Sequence, residues 1–293
     1  MNSPLVSVGL PLALAVIMFG LGLSLTGADF ARIAKTPRIV AIALVCQLLV
    51  LPVVAFGLVL LFDLTPILAV GMMLLAASPG GTTANLFSHL FRGDVALNVS
   101  LTAVNSIIAV VTVPVVTNFA IGYFEPSGED GSVGLQLSKV IQVFAIVLVP
   151  VGLGMLVRRW STEFADRMDK PVRIGSAITL LLVIVGTIAS EHETLAGSLA
   201  DVGAITVVFC LISLTVGYYL PRLLGVADRQ AIACSFEVGI HNSTIAITIA
   251  ISVLDSTEMA IPAAVYGVLM FPLAVLVGWL ITRGQVRSAV VAE

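Results

Sequence analysis

Charged residues cut this chain into long apolar windows, and that division restricts its folding more than any other feature. Windows free of Asp, Glu, Lys and Arg run over 1–28, 39–62, 64–91, 95–124, 140–157, 174–190, 202–221 and 259–282, and a ninth, 230–254, holds one charge, Glu237. Each is close to or above the ~20 residues that a helix needs to cross the hydrocarbon core of a bilayer. The windows do not alternate polar with apolar residues as barrel strands do, and only helices or closed barrels satisfy their backbones in lipid. The expectation is therefore an all-α membrane protein with nine transmembrane helices. The first window is kept as a span rather than a signal peptide, because no basic residue precedes it and no clear cleavage signature follows. Apolar residues make up 59% of the chain and charged residues only 11%, against roughly a quarter charged in a soluble domain. That excludes a soluble enzyme and a disordered scaffold, and a net charge of −3 gives no basic footprint for nucleic acid. The polar loops near 125–139 and 158–173 are too short for a soluble domain. Cys46, Cys210 and Cys234 lie in apolar runs without metal or pairing spacing and read as small core residues.

Lysine and arginine give the orientation. Arg32, Lys35, Arg38, Arg92, Arg158, Arg159, Arg167, Lys170, Arg173, Arg222, Arg229, Arg283 and Arg287 all fall on one side of a nine-span alternation, and of the 14 basic residues only Lys139 falls near the other. The opposite side carries Asp63, Glu125–Asp130, Glu191, Glu193 and Asp255–Glu258. By the positive-inside rule the amino terminus is outside and the carboxyl terminus cytoplasmic, in a cell (inner) membrane.

Two windows are not simple helices. The third contains Ser78-Pro79-Gly80-Gly81-Thr82-Thr83-Ala84-Asn85. Proline removes a backbone donor and a glycine pair releases the chain from helical geometry. The segment is either a proline kink or an unwound crossing after which Thr82 or Thr83 caps a new half-helix. The eighth contains Glu237-Val238-Gly239-Ile240-His241-Asn242-Ser243-Thr244 before an apolar run, with Asn242 and Ser243 suited to cap it. A lone carboxylate at membrane depth is functional by default, paired with a cation or protonated, although a neutral glutamic acid bridging helices is the plainer reading. The two broken segments are offset by five spans, an odd number, so they cross in opposite directions. Paired broken helices of opposite direction point to an inverted repeat with a site at the bilayer midplane.

Span 4 places Asn98, Thr102, Asn105 and Ser106 on one helical face, either as interhelical packing or as an oxygen-lined wall. Gln47 adds an amide deep in span 2. Carboxylate, amide and hydroxyl oxygens suit a hard cation such as sodium, and two half-helix amino termini favour an anion. The combination points to cation-coupled movement of an organic anion. There is no H-E-x-x-H motif, and His89, His192 and His241 lie far apart, so no enzyme is expected. The alternatives are a proton-coupled or uniport carrier on the same fold and, in a different class, an ion channel.

The P-G-G segment Ser78–Asn85, the following Arg92-Gly93-Asp94-Val95-Ala96-Leu97, the segment Glu237–Ser243 and Met18-Phe19-Gly20-Leu21-Gly22-Leu23 together resemble the bile acid:sodium symporter family. The resemblance implies an inverted repeat with panel helices at 1–62 and 125–190 and core helices at 63–124 and 191–293, two broken helices crossing in the core. It implies a sodium-coupled symporter that imports an organic anion by alternating access, the anion being a bile-acid-like steroid, pantoate or another small carboxylate. Two sodium sites are implied behind the crossing. One would use Asn85, Asn98, Thr102 and Glu237, and the other Gln47, Glu237 and His241 with the carbonyls of Val238 and Ile240. Thr82, Thr83, Asn242 and Ser243 match positions facing the substrate. Three positions depart from the family pattern. Ala84 lacks a hydroxyl often found there, Phe271-Pro272 is more apolar than in some relatives, and His241 stands where glutamine is common, which leads us to expect sodium-dependent transport that varies with pH.

Overall fold

The computed structural model describes residues 34–126, 137–168 and 192–290, with isolated positions within 15–31 and 171–178. The described elements are nearly all helical. Span 2 is built from α1 (Pro37–Val45) and α2 (Leu51–Leu61), joined by a π-helical turn over Cys46–Val50. Pro52 accounts for that turn. It has no N–H for the carbonyl four residues back, and the amide of Leu51 reaches to Cys46 instead. The first broken helix comprises α3 (Pro66–Ala77) and α4 (Ala84–Leu90), and α5 (Val95–Phe124) follows. Next come α6 (Leu137–Trp160) and α7 (His192–Leu223). The second broken helix comprises α8 (Asp228–Gly239) and α9 (Ser243–Ser252). A 3-10 turn at Glu258–Ala260 then leads into α10 (Ile261–Val290).

Four helices among the described residues are long and apolar enough to cross a membrane: Pro37–Leu61, Val95–Phe124, Val202–Leu223 and Glu258–Arg283. Pro66–Ala77 and Ser243–Ser252 are apolar but short, as halves of interrupted spans must be. The windows expected at 1–28 and 174–190 lie outside the described residues apart from isolated helical positions.

Close backbone approach sets the packing around the broken helices. A Cβ on Gly217 of α7 would sit 2.8 Å from the Cα of Ser235 on α8, and one on Gly71 of α3 would strike the carbonyl of Met259. Ser235 donates to the Leu214 carbonyl at 2.7 Å, which ties α7 to α8. At the end rich in arginine, the loops hold one another. The Asp94 amide donates to the Arg229 carbonyl at 2.9 Å, Arg229 donates to the Arg92 carbonyl, and Arg38 donates to the Leu224 carbonyl. Asp94 also caps α5, accepting from the Leu97 amide at 3.0 Å.

Candidate functional site

Both breaks meet at one point. Gly80 and His241 form an isolated antiparallel bridge. The Gly81 amide donates to the Ile240 carbonyl at 2.7 Å, and the Asn242 amide donates to the Pro79 carbonyl at 2.8 Å. The two broken helices therefore run in opposite directions where they touch, and each supplies the hydrogen bonds that the other lost on unwinding. Non-helical backbone inside an apolar bundle survives only when it is satisfied in this way. Freed carbonyls beyond the bridge find side chains. Tyr266 donates to the Gly239 carbonyl at 2.8 Å, and the Ser78 carbonyl faces Gln47 Nε2 at 2.9 Å and His241 Nδ1 at 3.1 Å.

The new half-helices start differently. Asn242 caps α9 with its side chain, accepting from the Ile245 amide at 3.2 Å. Thr83 precedes α4 without a side-chain cap, contrary to the expectation for Thr82 or Thr83. The turn closes through the backbone instead, from the Ala84 amide to the Gly81 carbonyl and from the Leu86 amide to the Thr83 carbonyl. Thr82 is exposed, Thr83 and Asn242 are half-buried, and Ser243 is buried with its hydroxyl unpartnered among the described residues.

Behind the crossing lies Glu237, with no exposed surface. Thr102 donates to its Oε2 at 2.5 Å and Asn105 donates to its Oε1 at 2.8 Å. Neither donor is charged, and no basic side chain pairs with this carboxylate among the described residues. Asn98, one turn before Thr102 on α5, donates to the Ala233 carbonyl at 2.7 Å. Several buried oxygens around this carboxylate and the crossing have no partner among the described residues: Oδ1 of Asn85, Asn98 and Asn105, and Oε1 of Gln47. They are the hard neutral donors that a sodium ion requires. The geometry thus brings Asn98, Thr102 and Glu237 together along the α5–α8 contact. Sequence periodicity found the face that carries Asn105 but assigned that residue no role in the site.

Gln47 and His241 form a second group. Their nitrogens lie 3.5 Å apart and both point at the Ser78 carbonyl. A carbonyl only accepts, so His241 carries its proton on Nδ1, and its Nε2 is left unpartnered and buried. Phe209 stacks on the ring at 5.4 Å between centroids and Tyr266 meets it edge-on. Val238 and Ile240 are fully buried beside this group, and the Ile240 carbonyl is occupied by Gly81.

Gly80 is required at the bridge. A Cβ there would collide with Oε1 of Glu237 and approach the Glu237 carbonyl to 2.7 Å. The P-G-G segment and the carboxylate are thus one packed unit.

Known proteins share this sequence pattern. Residues 11–198 match the model of the sodium bile acid symporter family. An uncharacterised sodium-dependent transporter, YocS, of Bacillus subtilis (strain 168) is 28% identical over 87% of this chain and 77% of its own. The human ileal sodium/bile acid cotransporter is 26% identical over 84% of this chain and 70% of its own. A rice (Oryza sativa subsp. japonica) protein named "Probable sodium/metabolite cotransporter BASS2, chloroplastic" is 26% identical over 88% of this chain, which spans 60% of that protein. With more than half of its length matched, the chain belongs to the sodium bile acid symporter family.

Proposed function

We propose that the chain is a sodium-coupled symporter that moves a small organic anion by alternating access, and not an enzyme. The observation that carries this reading is the Glu237 carboxylate, buried behind the crossing and met, among the described residues, only by the neutral donors Thr102 and Asn105. A carboxylate taken out of water without a counter-charge is costly. A sodium ion held with Asn85, Asn98 and Thr102 supplies that charge. The names of the relatives, sodium-dependent or sodium-coupled transporters, support the same ion. A second sodium is assigned to Gln47, Glu237 and His241 with the carbonyls of Val238 and Ile240.

The anion is assigned to the crossing itself, against Thr82, Thr83, Asn242 and Ser243. The bilayer is the partner of the exposed apolar helix faces, and the arginine-rich end is assigned to the cytoplasm. Rocking of a core that carries the crossing against a panel would alternate access. Gln47 on the π-helical turn reaches Ser78 in the first break, which supports placing 37–62 with that core rather than with the panel.

Reconstitution tests the proposal. A thermal-shift screen of organic acids, with and without sodium, selects the substrate, and proteoliposomes with an imposed sodium gradient measure its uptake. Wild-type protein is expected to accumulate the selected anion only with sodium outside. Glu237→Gln, at equal reconstituted amount, is expected to lose the sodium-stimulated component. Wild-type uptake by that variant would remove Glu237 from the coupling site.

A further inference from the structure

We infer that Asn105 is a direct ligand of the transported cation, an inference that rests on the sodium-coupled reading above and adds a residue to it. Asn105 is buried on α5, two turns beyond Asn98 and on the same face. The two amides are used in the same way. Each donates through Nδ2 to α8, Asn98 to the Ala233 carbonyl and Asn105 to Glu237 Oε1 at 2.8 Å. Each leaves Oδ1 buried and without a partner among the described residues.

Buried polar atoms are nearly always satisfied, so two amide oxygens left bare on one helix face need a reason. The orientation of the Asn105 amide is chemically fixed, because an ionised carboxylate only accepts and so takes the nitrogen. The oxygen is then directed elsewhere, one carbon away from the nitrogen that touches Glu237. A cation drawn to the carboxylate is within reach of both. Thr102 sits between the two asparagines, and its Oγ1 lies 2.5 Å from Glu237 Oε2 and 3.0 Å from the Asn98 carbonyl. Its single proton goes to the carboxylate, which leaves a hydroxyl lone pair beside the same space. One face of α5 therefore offers two amide oxygens and a hydroxyl oxygen next to Glu237, the one formal charge within residues 230–254.

The competing role for Asn105 is that it merely pins Glu237 through its N–H, and a charge exchange separates the two. Purified protein in detergent is melted against increasing sodium chloride, with choline chloride holding ionic strength constant. Wild type is expected to show a saturable rise in melting temperature, and Glu237→Gln to lose it. Asn105→Ala is expected to need at least ~10-fold more sodium for half the rise, the lower end of what losing a metal-site contact costs. The double variant Asn105→Asp with Glu237→Gln keeps one carboxylate, one amide and the N–H between them. If Asn105 is a ligand, the exchange regains the sodium response that Glu237→Gln alone has lost. An Asn105→Ala protein with wild-type sodium affinity, or an exchanged protein as insensitive to sodium as Glu237→Gln, overturns the assignment while leaving Glu237 in place. Absence of any sodium response in wild type would instead overturn the underlying reading.

Discussion

Gly80 and Glu237 compete for the same space, so the smallest side chain beyond glycine tests the site most directly. The Cβ in Gly80→Ala would enter the volume of the Glu237 carboxylate and crowd its carbonyl. Overpacking of this kind costs about 1–3 kcal/mol, and relief would come from swinging Glu237 away from Thr102 and Asn105. Gly80→Ala is expected to melt several degrees lower and to lose most sodium-stimulated uptake. A variant that melts lower but transports normally would show that the carboxylate tolerates displacement. His241 poses a different question. Its Nδ1 and the Gln47 amide nitrogen both face the Ser78 carbonyl, and two N–H groups repel a cation. His241→Gln keeps one donor for Ser78 and adds an oxygen. Sodium activation of uptake is expected to steepen in this variant, with a Hill coefficient above that of wild type. An unchanged coefficient would mean that position 241 does not limit the second ion.

At the level of whole elements, the π-helical turn over Cys46–Val50 aims Gln47 at the first break. Pro52→Ala restores the missing amide and permits regular pairing to Leu48, which would rotate Gln47 away from Ser78. The variant is expected to remain folded, with an unaltered helical circular-dichroism spectrum, while uptake falls several-fold. Loss of helical signal would mean that the turn is structural instead. This turn was not legible in the sequence, since Cys46–Val50 is apolar apart from Gln47 and Pro52 alone does not distinguish a kink from a π insertion. The two breaks were legible, because a proline with a glycine pair, and a carboxylate followed by a glycine, cannot pass for ordinary apolar helix. Asn242 revealed itself as a cap for the same local reason. Thr83 misled, because a backbone turn through Gly81 had already satisfied the first amide of α4. Periodicity likewise placed Asn98, Thr102 and Asn105 on one face. It could not say that the facing element was α8, because the contact spans more than 130 residues of chain.

For the molecule as a whole, the distribution of charge makes a claim about direction. Arg38, Arg222 and Arg229, in the end turns of α1, α7 and α8, and Arg92, in the turn after α4, are held together at one end by contacts to the Leu224, Arg92 and Val226 carbonyls. Asp63, Glu125 and Asp255 each adopt a left-handed backbone at the opposite helix ends. A bilayer reads such asymmetry through its cytoplasmic preference for arginine and lysine. Thr65, before α3, and Leu224, after α7, are exposed at the two ends, whereas Cys46, Cys210 and Cys234 are all buried. Added thiols at those two positions can therefore be labelled against a low native background. In right-side-out vesicles a membrane-impermeant maleimide is expected to label Thr65→Cys at once and Leu224→Cys only after permeabilisation. The reverse pattern would invert the orientation. A sodium gradient directed inward would then reach Glu237 from the arginine-rich end, and a symporter so inserted would still import its anion, loading both solutes from that end.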